Sequence, residues 1–375
     1  MSILRSLPLC SFFALAFAAA PDSIAAAERE RVLIVVSGEG RDAGKTRPGF
    51  EMDEFAQAWL IFRDNGLAID VASPNGGKVE ADKYDAKEAF NASVLADPQA
   101  VSKLGATLAT RDVRAADYKA VFVVGGKGAM FDLPVDKSLA ALVADVYEAG
   151  GVVSAVCHGP AALVDVRLDD GTPLVAGKSL TGFSNEEETV FGKRWAKEFR
   201  FLLEDAMRER GARWQEAPLM MPKVVVDARI VTGQNPYSTP AAAEAVVRAL
   251  GRKPVARTPW RDEVTMTLVE RLLAGEADAA RKALADDRER YHVDLIGLLG
   301  YYQLKTAADD AAVRRALAIM QLAEPHMPAP QIGLGIAEAW LKLGERERAR
   351  ERLERVLESH PDMPEAKELK ARMSS

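Results

Sequence analysis

The chain is poor in the two side chains most used for covalent and metal chemistry. Its 375 residues include two cysteines, Cys10 and Cys157, and four histidines, His158, His292, His326 and His360. So few thiols exclude a disulfide framework. No histidine precedes His158 and none lies between 159 and 291, so a His-cluster metal site is unavailable over most of the chain. Long blocks of one charge sign are missing too. The net charge of −6 argues against a general affinity for nucleic acid. A phosphate loop is also lacking: "GGKGAM" at 125–130 is a weak look-alike without the Lys-Ser/Thr ending. What is present is a globular balance, 48% hydrophobic and 28% charged, in a chain long enough for two domains.

The N-terminus reads as an address rather than as part of the fold. Arg5 precedes an apolar run from Leu7 to about Ala20, and the small residues Ala25, Ala26 and Ala27 precede Glu28. This pattern suits a signal peptide over 1–27, cleaved on export to a periplasm or to the outside. The run is short for a spanning helix. No other segment looks transmembrane, so no membrane attachment is expected after cleavage. Cys10 leaves with the signal, and Cys157 is then the single thiol of the mature protein.

From 28 to 251 the pattern is α/β. "VLIVVSG" at 32–38 is a β-branched run ending in Gly and reads as a central parallel strand. Helical spacing follows over 52–66, with Phe55, Trp59 and Phe62 on one face and Gly66 as the stop. Strands are expected at 67–74 and about 120–124, a helix at 137–151, a hairpin at 223–236 and a closing helix at 238–250. Strands alternating with helices predict a doubly wound sheet. Sites in such sheets form at the carboxyl ends of strands, where Gly125-Gly126 and Cys157 both fall.

"VVSAVCHGPAALV" at 152–164 reads as strand, tight turn and helix. A strand that ends at a nucleophile and turns sharply presents that side chain to solvent near free backbone N–H groups. Those groups lower a thiol pKa and hold an oxyanion. Gly159 permits the turn, and Pro160 fits an early helical position where its missing N–H costs little. A buried structural cysteine is the competing reading; the turn chemistry favours a reactive one.

These residues resemble the ThiJ/PfpI family of the class I glutamine amidotransferase-like superfamily. The resemblance covers roughly 31–250 and is carried by "VLIVVSG", "GFEMDEFAQAWLIFRDNG", "VFVVGGKGAMFDL", "AVCHGPAALV", "GKSLTGFSNEEE" and "RIVTGQNPYS" in that order. It implies a flavodoxin-like sheet with Cys157 on a nucleophile elbow. It also implies an acid hydrogen-bonded to the thiol, which falls on Glu54, with Glu51 and Asp53 as rivals. Shielded from water, that acid should have a raised pKa and could shuttle a proton. His158 is implied as catalytic, although the side chain after an elbow nucleophile is expected to point away from the thiol. An acid among Glu186, Glu187 and Glu188 would orient it; Glu187, the middle one, is the working choice. Gly125 and Gly126 are expected to supply an oxyanion donor, beside Gly159. Lys127 stands where relatives have His and would favour the thiolate, bind an acidic substrate or face solvent. An ordinary glutaminase triad is not expected, because it needs a histidine well downstream of the cysteine.

Beyond a linker at 252–261 the character becomes all-α, to 375. Gly275 and Gly344 are 69 residues apart, about two periods of roughly 34. "AEAWLKLGERERARERLERVLESHPDMPEA" at 337–366 resembles a tetratricopeptide repeat, with Gly344 at the inter-helix turn, Ala349 at the small packing position and Pro361 after the second helix. An unrelated helical bundle is the competing reading. Stacked helix pairs suit a peptide or protein partner.

The resemblance implies a glyoxalase III or deglycase activity with no cofactor and no metal, acting on a small carbonyl substrate through a Cys157 hemithioacetal. A chaperone or thiol redox sensor with client-binding repeats is an alternative, and an amidase or peptidase another. Family members often form homodimers, unless the added helices cover that face.

Overall fold

The computed structural model describes residues 30–374. The signal peptide expectation and Cys10 lie outside the described residues. A seven-stranded sheet has the spatial order β3-β2-β1-β4-β5-β7-β6. Its strands are β1 (Arg31–Val35), β2 (Ala68–Ser73), β3 (Leu108–Ala109), β4 (Ala120–Val123), β5 (Val152–Val156), β6 (Val224–Asp227) and β7 (Ile230–Gly233). All neighbours pair in parallel except β6 and β7, an antiparallel hairpin at one edge. The middle strands read "VLIV", "AVFV" and "VVSAV" and are buried without a break. Continuous burial rather than alternation is what a parallel sheet covered on both faces requires.

Helices α1 (Met52–Asp64), α2 (Lys137–Glu148) and α4 (Thr239–Ala249) cover the sheet, while the short α3 (Asn185–Phe191) lies against His158 beyond the end of β5. In α1 the buried set extends from Met52 to Phe62 apart from Asp53, well beyond the single face expected from Phe55, Trp59 and Phe62. The helix is packed by the sheet on one side and by α4 and the chain at 89–95 on others. The chain leaves β1 toward β2 and β3, then returns to β4 on the other side of β1. That reversal opens a crevice at the carboxyl ends of the strands. Cys157 follows β5 and Gly125 follows β4 there, and α1 starts beside them.

The second unit consists of helices α5 (Arg261–Leu273), α6 (Ala277–Asp286), α7 (Val293–Thr306), α8 (Asp310–Ala323), α9 (Pro330–Lys342), α10 (Arg346–Ser359) and α11 (Pro364–Ser374). Gly275 and Gly344 turn the chain between α5 and α6 and between α9 and α10, with φ of 96° and 79°, a region that side chains with a Cβ disfavour. The intervening turn uses no Gly. Asp309 caps α8 by accepting the Ala312 N–H at 2.7 Å, which is why the repeat pattern fades there.

The linker is not a free tether. Arg252 donates to the Asn65 carbonyl at 2.9 Å, and Arg257 bridges Glu244 at 3.1 Å and Glu263 at 2.6 Å. Trp260 meets Phe90 edge-on with centroids 5.7 Å apart. The linker ends one residue earlier than expected, because Arg261 already begins α5.

Candidate active site

Three strand ends build the site. At the end of β5, Cys157 takes φ 58°, a left-handed conformation that costs a residue with a Cβ about 1–2 kcal/mol. Neighbouring elements hold it there. Its N–H donates to the Gly233 carbonyl at 2.9 Å, and its carbonyl accepts the Phe183 N–H at 2.8 Å. Gly125, ending β4, passes so close that a Cβ would sit 2.7 Å from the Cys157 Cβ and 2.8 Å from the His158 nitrogen. A Cβ on Gly159 would lie 2.5 Å from the Val123 carbonyl oxygen. Both glycines are there for close approach, and Gly126 turns the chain with φ 92°.

Glu54 is fully buried in the first turn of α1. Its Oε2 accepts the Gly125 N–H at 2.6 Å, and its carboxyl is bonded to the Cys157 thiol. Burial, then the neighbouring Glu51, push Glu54 well above the usual carboxylate range. A carboxyl biased in this way toward its protonated form can give its proton to sulfur or to a bound oxygen. Burial also pushes the Cys157 thiol up, with the Glu54 charge next, while the Gly126 N–H acts in the opposite direction. This corrects the expectation of a lowered thiol pKa. The elbow leads into five residues of 3-10 helix, Gly159–Leu163, too short to present a strong positive end. When Glu54 is protonated its charge no longer opposes the thiolate.

The same geometry divides the two glycine N–H groups. That of Gly125 is committed to Glu54, and that of Gly126 faces the sulfur. Gly126 is therefore the donor of this turn, and Gly125 a positioning element.

His158 corrects a second expectation. Its ring does not point away: Nδ1 lies 3.4 Å from the Cys157 sulfur, and Nε2 lies 2.8 Å from Glu188 Oε2. Phe183 stacks on the ring at 4.3 Å between centroids. The Glu188 bond and this stack turn the imidazole toward the thiol. The acid facing His158 is thus Glu188, not Glu187. Glu187 caps its own helix through Ser184 and accepts the Asn235 Nδ2–H at 2.9 Å and the Met220 N–H at 3.2 Å. It holds the cavity wall together, and burial pushes it up to about 7. Glu186 bonds to neither.

Cys157 lines a cavity of about 190 Å3 together with Gly126, Lys127, Glu51, Phe191 and Met220. Larger clefts lie elsewhere, among them one of about 630 Å3 around Arg31, Asp70 and Arg114 at the amino ends of the strands. Lys127 is cavity-lining, and its charge acts on Glu51. Asp53 is drawn away, accepting from Asn91 at 2.6 Å. Sequence reasoning missed Asn235, Tyr237 and Phe183 as cavity residues. The first two follow the end of β7, and that position was the available signal. Among the described residues no group of three or more His, Cys, Asp or Glu has metal-binding geometry, and no helix is long and apolar enough to cross a membrane.

The DJ-1/PfpI family model matches residues 46–249, and a tetratricopeptide repeat model matches 307–373. The glutathione-independent glyoxalase hsp3101 of Schizosaccharomyces pombe is 34% identical over 212 residues, which cover 53% of this chain and 86% of the relative. The glutathione-independent glyoxalase HSP31 of Saccharomyces cerevisiae is 35% identical over 222 residues, 56% of this chain and 91% of the relative. Among solved structures, glyoxalase III from Candida albicans is 30% identical with a TM-score of 0.54, covering 59% of this chain and 97% of that one. Family model, relatives and fold agree, and the chain belongs to the DJ-1/PfpI family.

Proposed function

We propose that this protein converts small 2-oxoaldehydes such as methylglyoxal to 2-hydroxy acids, with Cys157 as nucleophile and no glutathione. The observation that carries this reading is the convergence of a thiol, a buried carboxyl and an imidazole on one small cavity. Its volume of about 190 Å3 is below the ~300–1,000 Å3 of sites for drug-sized ligands. The relatives named as glutathione-independent glyoxalases support it.

The reaction is an internal redox step. The Cys157 sulfur bonds to the aldehyde carbon, and the thiol proton passes to the aldehyde oxygen, giving a hemithioacetal. His158 removes the hydrogen from that carbon as a proton while Glu54 gives its own proton to the ketone oxygen, and the electron pair forms an enediol. His158 then returns its proton to the neighbouring carbon, and Glu54 recovers a proton from the hydroxyl of the first carbon. The first carbon is oxidised to a thioester and the second is reduced to an alcohol. Water then adds to the thioester, the carbon–sulfur bond breaks, and the thiol is restored. The Gly126 and His158 N–H groups are the donors for the developing oxyanion.

A second reading rests on one observation. The Cys157–His158–Glu188 relay is what an amidase or peptidase needs to acylate its thiol. Offering methylglyoxal and small amides side by side separates the two. Lactate formation without amide cleavage is expected, and the reverse result would move the function to acyl transfer.

We also propose export, on the strength of the sequence of 1–27; N-terminal sequencing of the mature protein tests it.

A further inference from the structure

The helical unit is seated directly behind the cavity. Phe191, a cavity residue at the end of α3, meets Tyr302 of α7 edge-on with centroids 5.1 Å apart. Next to Tyr302, the buried Gln303 donates its Nε2–H to the Leu219 carbonyl at 2.9 Å. Leu219 immediately precedes Met220, which lines the cavity. Met220 and Tyr237, also cavity-lining, pack into the same apolar cluster as Ile296, Leu299 and Ile319 of the helical unit. The two yeast relatives match over 86% and 91% of their own length. What remains of them has no room for a counterpart of this helical unit.

We infer that α7 is part of the substrate-selecting apparatus: Tyr302 and Gln303 fix the Phe191 and Met220 wall and so limit the Cys157 cavity to small carbonyl compounds. They act through the residues they hold, so they are positioning residues. For the aldehyde reaction the inference rests on the function proposed above; for access to the thiol it does not. An aromatic edge contact and a buried hydrogen bond each restrict a wall that would otherwise repack. Losing the Tyr302 ring lets Phe191 relax outward and admits a bulkier group.

The test uses the full-length protein and reads the size selectivity of the site. The rates of Cys157 alkylation by iodoacetamide and by N-phenyliodoacetamide are measured for wild type, Tyr302→Ala, Tyr302→Leu and Tyr302→Phe. In parallel, kcat and KM are measured with methylglyoxal and phenylglyoxal. The bulky-to-small ratio should rise about tenfold, the scale on which pocket shape discriminates, in Tyr302→Ala and less in Tyr302→Leu. Tyr302→Phe keeps the ring and should retain the wild-type ratio. The aldehyde pair should shift mainly through KM. An unchanged alkylation ratio in folded Tyr302→Ala or Tyr302→Leu overturns the inference. An altered ratio without turnover of either aldehyde supports the positioning role and overturns the glyoxalase reading instead.

Discussion

His158 Nε2 lies 2.8 Å from Glu188 Oε2, and the opposite ring nitrogen lies 3.4 Å from the Cys157 sulfur. One imidazole, adjacent in sequence to the nucleophile, therefore connects thiol and carboxylate. Glu188→Gln should lower kcat by about 100-fold, within the range for a positioned acid–base group. Glu187→Gln should act on stability instead, because its carboxylate holds Ser184, Asn235 and Met220. Steady-state kinetics and thermal melts on the two variants check the division. Equal kinetic damage from both would contradict it.

Glu51 predicts a pH effect on stability. Burial, then Asp53 and Asp82, raise it from 4.5 to about 8 in the folded protein. Between those values the folded state holds a proton that the unfolded chain has released. Stability is therefore fully present below 4.5 and declines as pH rises to about 8. Glu51 is partly exposed, so solvent screening reduces the total change. Glu51→Gln should melt above wild type at alkaline pH, by about 2–4 °C for each kcal/mol relieved, with a smaller difference in acid. Parallel melting curves across pH would remove Glu51 from this role.

Gly125→Ala should be costly at a position that bears no functional side chain. The added Cβ would meet the Cys157 Cβ and the Val156 carbonyl oxygen at 2.7 Å. Overpacking of this kind costs about 1–3 kcal/mol. The nucleophile would also shift relative to Glu54. Melting temperature and thiol alkylation rate should both fall; an unchanged alkylation rate would show that the strand ends can separate without loss.

The sheet and the nucleophile were legible in the sequence for physical reasons. Unbroken apolar runs such as "VLIV" and "AVFV" mark strands covered on both sides, and "VCHGP" encodes a sharp turn with Gly at the crowded position. Glu54 was legible through the family resemblance and not through its place in the first turn of α1, which suits a solvated carboxylate equally well. The choice among Glu186, Glu187 and Glu188 was not. At 3.6 residues per turn, one residue swings a side chain by about 100°, and a helix start is uncertain by about one or two residues. The orientation of the His158 ring was equally hidden, since it depends on Phe183 and Glu188, 25 and 30 residues downstream. The seating of α7 behind Phe191 depends on residues more than a hundred positions apart, which no local periodicity reports.

The most direct test of the account is lactate formation from methylglyoxal by the wild-type protein, Cys157→Ala and Glu54→Gln, without glutathione or added metal. Many turnovers per wild-type molecule are predicted, with none from Cys157→Ala and a loss of about 100-fold or more from Glu54→Gln. Turnover that survives in Cys157→Ala, or no turnover by the wild type, would contradict the account.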